Sequence, residues 1–217
     1  MALLQVALDQ LDFKAALDCA ALVAESADII EVGTPLLKSV GVRAVSELKA
    51  RHPRKLILAD TKTMDAGALE ASLVFGAGAD IFTLCSAASR LTLIAGIREA
   101  HARGKRALVD LIGVEDILDA SLRLEDLEPD FVCFHLGIDQ QEAEGRFPVE
   151  GMGMLKARLG FPVSVAGGIT PADIPELMSI GPAIIVVGAF VTASPDPARA
   201  AAEVRQAIDA AKEAQER

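Results

Sequence analysis

Eight short apolar runs recur along the chain at nearly one spacing, and no other feature limits its folding choices as much. They begin near Leu3 (LLQVAL), Asp28 (DIIEVG), Lys55 (KLILAD), Ala79 (ADIFTL), Arg106 (RALVDL), Asp130 (DFVCFHL), Phe161 (FPVSVA) and Ala183 (AIIVVG), so successive starts lie 25, 27, 24, 27, 24, 31 and 22 residues apart. The runs are near-continuously apolar rather than alternating, which is the pattern of parallel strands covered by helices. Between them, apolar residues fall at helical spacing. This predicts helices over Phe13–Ser26 (with Asp12 as N-cap), Val42–Ala50, Ala66–Phe75, Leu91–Arg103, Ile117–Leu127, Gly151–Leu159, Ile174–Met178 and Pro197–Gln215. Gly104 and Gly160 stand where two of these helices should end. Eight strand–helix units predict an α/β chain folded as one (β/α)8 TIM barrel, a single domain over residues 1–217. A doubly wound open sheet fits less well. It usually has fewer strands and a Gly-rich first turn, and the segment VALDQLD that leaves the first run has no GxGxxG.

Charge excludes several function classes. Lys and Arg total 21 against 31 Asp and Glu, a formal charge of −10. That argues against non-specific binding to nucleic acid or anionic membrane, though a local positive pocket could still hold an anion. The absence of Trp and Tyr removes the usual base-stacking platforms. Cys19, Cys85 and Cys133 are too widely spaced for a CxxC pair or a zinc site and read as buried free thiols in a reducing compartment. The first nine residues lack the basic start of a signal peptide. The apolar stretch Ala183–Val191 is far short of the roughly 20 residues that span a bilayer. A cytoplasmic location is expected.

In a barrel of this kind the C-terminal strand ends converge on one mouth. The first run ends in Asp9, the second carries Glu31 just before Gly33, and the third ends in Asp60 with Lys62 two residues on. The fifth carries Asp110, the sixth His135, and the seventh and eighth run into Gly167-Gly168 and Gly188. A single polar strand end is unremarkable, but five ionisable residues at the same end of successive runs predict a site. Glu31 interrupts an otherwise apolar IIEV, where a carboxylate is costly without a partner. Asp60, one strand over, is its natural companion, and two such carboxylates repel unless a cation or proton sits between them. Hard oxygen ligands point to Mg²⁺, with Mn²⁺ as the second choice; a salt bridge from Lys62 is the other reading of Asp60. On an extended strand Asp60 and Lys62 would face the same way, and a lysine there can stabilise an anion formed during reaction. His52 and His101 read as surface residues, whereas His135 at a strand end is placed for proton transfer. The turns Val165–Thr170 and Val187-Gly188-Ala189 read as a backbone phosphate cradle or, alternatively, as glycine turns that need positive φ.

Asp60-Thr61-Lys62-Thr63-Met64-Asp65 has the DxKxxD pattern of the orotidine 5′-monophosphate decarboxylase suprafamily. Within it the chain resembles the 3-hexulose-6-phosphate synthase branch at LQVALD (4–9), IEVGTPL (30–36), ADTKTMDAG (59–67), VDLIGV (109–114), HLGIDQQ (135–141) and VAGG (165–168). Matching segments run from Leu4 to about Ala201. The 3-keto-L-gulonate 6-phosphate decarboxylases share Glu31, Asp60, Lys62 and His135. They usually carry Glu in place of Asp110, HRSRD in place of residues 135–139, and Arg in place of Ala189. The chain also departs from the synthase pattern, with Ser89-Arg90 where an acidic pair is usual and Ala189-Phe190 where a second Gly and a small residue are usual.

The resemblance implies an aldehyde-lyase that condenses formaldehyde with D-ribulose 5-phosphate, reversibly, to D-arabino-hex-3-ulose 6-phosphate. The intermediate would be an enediolate stabilised by Mg²⁺; the alternative is decarboxylation of a keto-sugar-acid phosphate. It implies Mg²⁺ on Glu31 and Asp60, catalytic roles for Lys62, His135, Asp65 and Asp110, and substrate contacts at Asp9, Gly168, Gly188 and Ala189. It also implies a homodimer in which Asp65 reaches the neighbouring subunit's site. A silent sugar-phosphate binding protein would not need Glu31, Asp60, Lys62 and His135 intact. A metal-dependent pentose-phosphate epimerase prefers several strand-end histidines, and this chain offers one.

Overall fold

The computed structural model of the protein describes residues 2–124, 126–144, 149, 152, 153, 156 and 160–215. Its strands are β1 (Leu3–Leu8), β2 (Ile29–Val32), β3 (Leu56–Thr63), β4 (Ile81–Cys85), β5 (Arg106–Asp110), β6 (Phe131–His135), β7 (Val163–Ala166) and β8 (Ile184–Val187). They pair in chain order into a closed barrel, all parallel, with Leu3 of β1 opposite Ile184 of β8 at the seam. Outside lie α1 (Phe13–Val23), α2 (Thr34–Val40), α3 (Arg43–Arg51), α4 (Gly67–Gly76), α5 (Arg90–Ala102), α6 (Ile117–Leu122), α7 (Ile138–Glu144), α8 (Ile174–Ile180), α9 (Ala189–Thr192) and α10 (Pro197–Gln215). The expected (β/α)8 TIM barrel is therefore the observed fold.

Strand alternation divides the core in two. Leu4, Val6, Ile30, Val32, Ile57, Phe82, Val109 and Val132 face outward and pack with helix residues such as Ala16, Leu48 and Val204. Ala7, Ile29, Leu58, Ile81, Leu108, Phe131, Cys133, Ala166, Ile184 and Val186 form a separate cluster without helix residues, which is the barrel interior. Two residues further along the same faces come Asp9, Glu31, Asp60, Thr83, Asp110, His135 and Gly188. The alternation that fills the lower barrel with aliphatic carbon thus turns the polar residues into its upper interior.

The lower rim repeats a device every second unit. Asp28, Asp80 and Asp130 each stand just before an even-numbered strand. Each accepts the backbone N–H of the preceding strand, from Leu4 (2.8 Å), Ile57 (3.0 Å) and Ala107 (2.9 Å) respectively. Each also meets a cationic type: Arg205 at Asp28, Lys49 (2.7 Å) and Lys105 (2.8 Å) at Asp80, and His101 (3.1 Å) at Asp130. Before β8 the corresponding residue is Ala183.

Several element boundaries differ from the sequence reading. α2 begins one residue after Gly33 with Pro35 in its first turn, where a missing N–H costs nothing, and it buries only Leu36. Seven residues with one buried contact leave no periodicity to read, and α7 and α9 are shorter or as short. α6 stops at Leu122 rather than Leu127. Gly104, at φ 63°, follows the end of α5 as expected. The helix expected over Gly151–Leu159 lies mostly outside the described residues.

Candidate active site

The third strand carries the first surprise. It does not end at Asp60 but continues to Thr63, and Lys62 adopts φ 46°. A left-handed lysine is strained by about 1–3 kcal/mol and persists only where its surroundings hold it. Its effect is to return the side chain onto its own strand, with Lys62 Nζ 2.7 Å from Asp60 Oδ2 and 3.1 Å from Asp110 Oδ2. The two side chains converge as expected, but through a distortion and not through plain strand alternation. Burial alone would lower the lysine's pKa, but the Asp60 and Asp110 carboxylates hold it well above the ordinary value. Lys62 is therefore a fixed cation.

Asp60 is held by three side-chain donors. Its Oδ2 accepts from Lys62 and from Thr34 Oγ1 (2.8 Å), and its Oδ1 accepts from Thr83 Oγ1 (2.8 Å). Asp110 sits one layer around the barrel, almost wholly buried. Its Oδ1 accepts the Ile112 N–H (2.9 Å), and its Oδ2 lies 2.9 Å from His135 Nδ1. Burial works against its charge, but the His135 hydrogen bond, the Lys62 ammonium and the Ile112 N–H hold its carboxyl below the usual carboxylate range. An ionised carboxylate can only accept, so Nδ1 of His135 carries the proton and Nε2 is the basic nitrogen.

Glu31 is buried, as its place in β2 predicted, and Gln5 Nε2 donates to its Oε2 at 2.6 Å. Burial first, and then the Asp60 charge, push its carboxyl well above the ordinary range. Asp9 is raised by the same two causes in the same order. A side chain at Gly33 would meet Asp9 Oδ1 at 2.1 Å, so that glycine makes room for this carboxylate, and Gly188 lies beside Asp9 Oδ2. Gly167 and Gly168 have φ of 122° and 64°, and a side chain at Gly167 would strike the Leu136 carbonyl at 2.4 Å. Those turns need glycine for geometry, whatever else they bind. Ala189 is exposed at the start of α9.

Two sequence-level candidates stand apart from this cluster. Asp65 is exposed, and its carboxylate accepts the Ala66 N–H (2.7 Å). Ser89-Arg90 serve α5: Ser89 caps the helix through Thr92, and Arg90 bonds Asp126 across the surface. Gln5, Thr34 and Thr83 were missed by sequence reasoning, since a buried Gln or Thr in a strand, or a half-buried Thr opening a short helix, looks like an ordinary spacer until its partners are known. Among the described residues, Asp110, Cys133 and His135 are the one set of three metal-ligating types whose ligand atoms lie within 4.8 Å of one another, and Glu31 and Asp60 are not in it. Burial keeps the Cys133 thiol well above its usual pKa, so it is a poor ligand there.

A sequence model of the orotidine 5′-phosphate decarboxylase / HUMPS family matches residues 2–204. The 3-hexulose-6-phosphate synthase of Mycobacterium gastri is 42% identical over 205 residues, which are 94% of this chain and 99% of that protein. The crystal structure of 3-hexulose-6-phosphate synthase from Salmonella typhimurium superposes with a TM-score of 0.92 at 37% identity, covering 96% of this chain and 99% of that one. That of 3-keto-L-gulonate-6-phosphate decarboxylase from Vibrio cholerae gives 0.86 at 31% identity, covering 96% and 98%.

Proposed function

The chain belongs to the orotidine 5′-phosphate decarboxylase / HUMPS family and is a lyase-type enzyme, and we propose that it condenses formaldehyde with D-ribulose 5-phosphate to D-arabino-hex-3-ulose 6-phosphate, reversibly, through an enediolate. The observation that carries this reading is the convergence of Lys62 Nζ on Asp60 and Asp110, with Asp110 in turn fixing His135. It supplies a base of defined tautomer beside a permanent cation, which is what making and holding an enediolate requires. His135 Nε2 takes a proton from C1 of the ketose, and the Lys62 ammonium offsets the charge that spreads over the two oxygens. C1 then bonds to the formaldehyde carbon, and the new alkoxide takes the proton back from His135. The higher identity to proteins named as synthases than to the one named as decarboxylase supports this branch.

The donor set fits a hard divalent cation. Four carboxylates, Asp9, Glu31, Asp60 and Asp110, meet one ammonium, and a cation among them would offset both the burial and the Asp60 repulsion that raise Glu31 and Asp9. Glu31 and Asp60 would hold Mg²⁺, or Mn²⁺. When bound, the ion would polarise the ketose carbonyl and hydroxyl oxygens. Gly168, Gly188 and Ala189, at the ends of β7 and β8, would give the phosphate backbone N–H groups, with Asp9 beside Gly188 facing the sugar hydroxyls.

Asp65 lies outside its own mouth, on a face with exposed Met64, Leu69 (71%), Leu73 and Leu91 (79%) from the loop after β3, α4 and α5. Such a patch marks a protein interface. Two copies pairing there would form a homodimer in which Asp65 enters the neighbour's site. Among the described residues no helix is long and apolar enough to cross a membrane, and the three cysteines are buried free thiols. The buried free thiols and the acidic charge support a cytoplasmic enzyme of small molecules. The test is an assay of purified protein with ribulose 5-phosphate and formaldehyde, beside 3-keto-L-gulonate 6-phosphate, with and without Mg²⁺. Turnover of the keto acid alone would overturn the assignment.

A further inference from the structure

Three consecutive residues of β3, Asp60, Thr61 and Lys62, stand opposite a single residue of β4, Thr83. The register passes from Ala59 opposite Phe82 to Thr63 opposite Leu84, so four steps along one strand match two along the other. Extra residues in a bulge ordinarily leave ladder groups unpaired. Here each of the three is met by an atom of Thr83. Its hydroxyl donates to Asp60 Oδ1 (2.8 Å) and accepts the Lys62 N–H (2.9 Å), while its carbonyl accepts from Thr61 Oγ1 (2.6 Å). One hydroxyl has one proton and two lone pairs, so the first two bonds coexist. The side chain is 3% exposed, which leaves water little access to replace them.

Nothing else in sequence or fold requires a hydroxyl at this position. The neighbouring inward residues of β4 are Ile81 and Cys85, and an aliphatic side chain would fill the same volume. The hydroxyl instead joins two groups with different tasks: the carboxylate read above as a metal ligand, and the backbone of the lysine that holds charge on the substrate. Lys62 keeps its left-handed conformation where the Thr83 hydroxyl receives its N–H, and that conformation returns the ammonium to Asp60 and Asp110.

We propose that Thr83 is a positioning residue of this enzyme, one hydroxyl that sets the Asp60 carboxylate and the Lys62 backbone in register with each other without touching substrate. The inference rests on the roles given to Asp60 and Lys62 under the proposed function, but two of its readouts need no substrate.

Thr83→Val is nearly isosteric and removes only the hydroxyl, and Thr83→Ala removes it without any risk of crowding. Thr83→Ser restores it. The full-length protein is used in three measurements: hydrogen exchange at the Lys62 amide by NMR, Mn²⁺ affinity by electron paramagnetic resonance, and kcat and KM with ribulose 5-phosphate and formaldehyde. In the Val and Ala variants the Lys62 amide should exchange about tenfold faster or more, while other β3 and β4 amides keep their protection. Mn²⁺ should bind about 10–100-fold more weakly, and kcat should fall by about as much. KM should change by less than about threefold, because the phosphate turns lie across the barrel. Serine should return every value to near wild type. A merely structural threonine would lower the melting temperature and protection throughout β3 and β4, leaving the kcat of folded enzyme unchanged. If Val misfolds, Ala decides. Wild-type Lys62 exchange and Mn²⁺ affinity in either folded variant would overturn the proposal. Failure of the wild type itself to condense formaldehyde would overturn the proposed function, and Lys62 exchange would still decide Thr83.

Discussion

Asp110→Asn should disable the enzyme by reversing the orientation of a single proton. The amide is nearly isosteric with the carboxylate, but neither of its orientations suits all of its neighbours. With its oxygen on the Ile112 N–H, where Asp110 Oδ1 now accepts, its NH₂ group falls where Oδ2 now meets His135 Nδ1 and faces the Lys62 ammonium, a second donor. Facing a donor, Nδ1 must accept, so the imidazole proton moves to Nε2 and the base is lost. Flipping the amide to preserve the tautomer would bury an unmet Ile112 N–H against NH₂, at a cost of about 1–3 kcal/mol. Either route costs the reaction. Loss of a positioned general base is worth roughly 10²–10⁴ in rate, and His135→Asn should fall in the same range.

The assay is washout of the C1 proton of ribulose 5-phosphate into deuterated water, followed by NMR without formaldehyde. This isolates the proton transfer from carbon–carbon bond formation. Asp110 is held below the usual carboxylate range, so it is ionised at every pH where the enzyme is assayed. Its contribution is present above the ordinary carboxylate pKa and is lost only as pH falls through the lowered folded value. Ionisation of Asp110 should therefore set no acid limb between about pH 6 and pH 9, and a limb in that window belongs to another group. A folded Asp110→Asn enzyme that exchanges C1 within about threefold of wild type would refute the assigned tautomer, and with it the role of the pair.

Exhaustive chelation should abolish both condensation and C1 exchange, with Mg²⁺ restoring them; full activity in excess EDTA would remove Glu31 and Asp60 as a metal site. Lys62→Ala and Asp65→Ala, each nearly inactive alone, should recover about a quarter of wild-type activity when mixed under proven subunit exchange, because half of random dimers are mixed and each has one whole site. No recovery would place Asp65 in its own subunit's chemistry or outside chemistry altogether. Asp80→Ala at the lower rim should lower the melting temperature by about 4–8 °C, from about 2 kcal/mol for a charged acceptor shared by the Ile57 N–H and two lysines, without changing kcat; an unchanged melting temperature would deny the rim clips a part in stability.

The fold was legible because a buried parallel strand needs an unbroken apolar run, and eight such runs leave few alternatives. The site was legible where a residue violates that rule: Glu31 in IIEV and His135 in FVCFH are ionisable groups in strands that otherwise bury every side chain. What stayed hidden obeys the rule or depends on partners distant in sequence. Thr83 is an ordinary strand residue by composition, and its meaning lies in three residues more than 20 positions away. Gln5 reads as a spacer until Glu31 is beside it. The β3 bulge is written in no local pattern, since DTKT has no glycine to announce the positive φ of Lys62. Nor does periodicity reveal the aspartates at 28, 80 and 130, because each was read as part of the start of an apolar run rather than as a clip just outside it.

Those three aspartates also explain why the chain can carry so many acidic strand ends without losing its fold. At the lower rim each of the three carboxylates is closed by a backbone N–H and an Arg, Lys or His side chain, and at Asp80 the two lysines and the Ile57 N–H outweigh burial and lower the carboxyl's pKa. At the upper rim the balance is left open. Asp9 and Glu31 are raised, Lys62 is shared between two carboxylates, and no second lysine or arginine enters among the described residues of the cluster. The same residue type therefore stabilises one end of the barrel and strains the other. Substituting a lower aspartate should cost stability alone, since its partners are all internal to the fold. Neutralising Glu31 as Gln should relieve repulsion from Asp60 and leave the folded protein as stable as wild type or more so, while weakening the divalent-ion site proposed at the mouth.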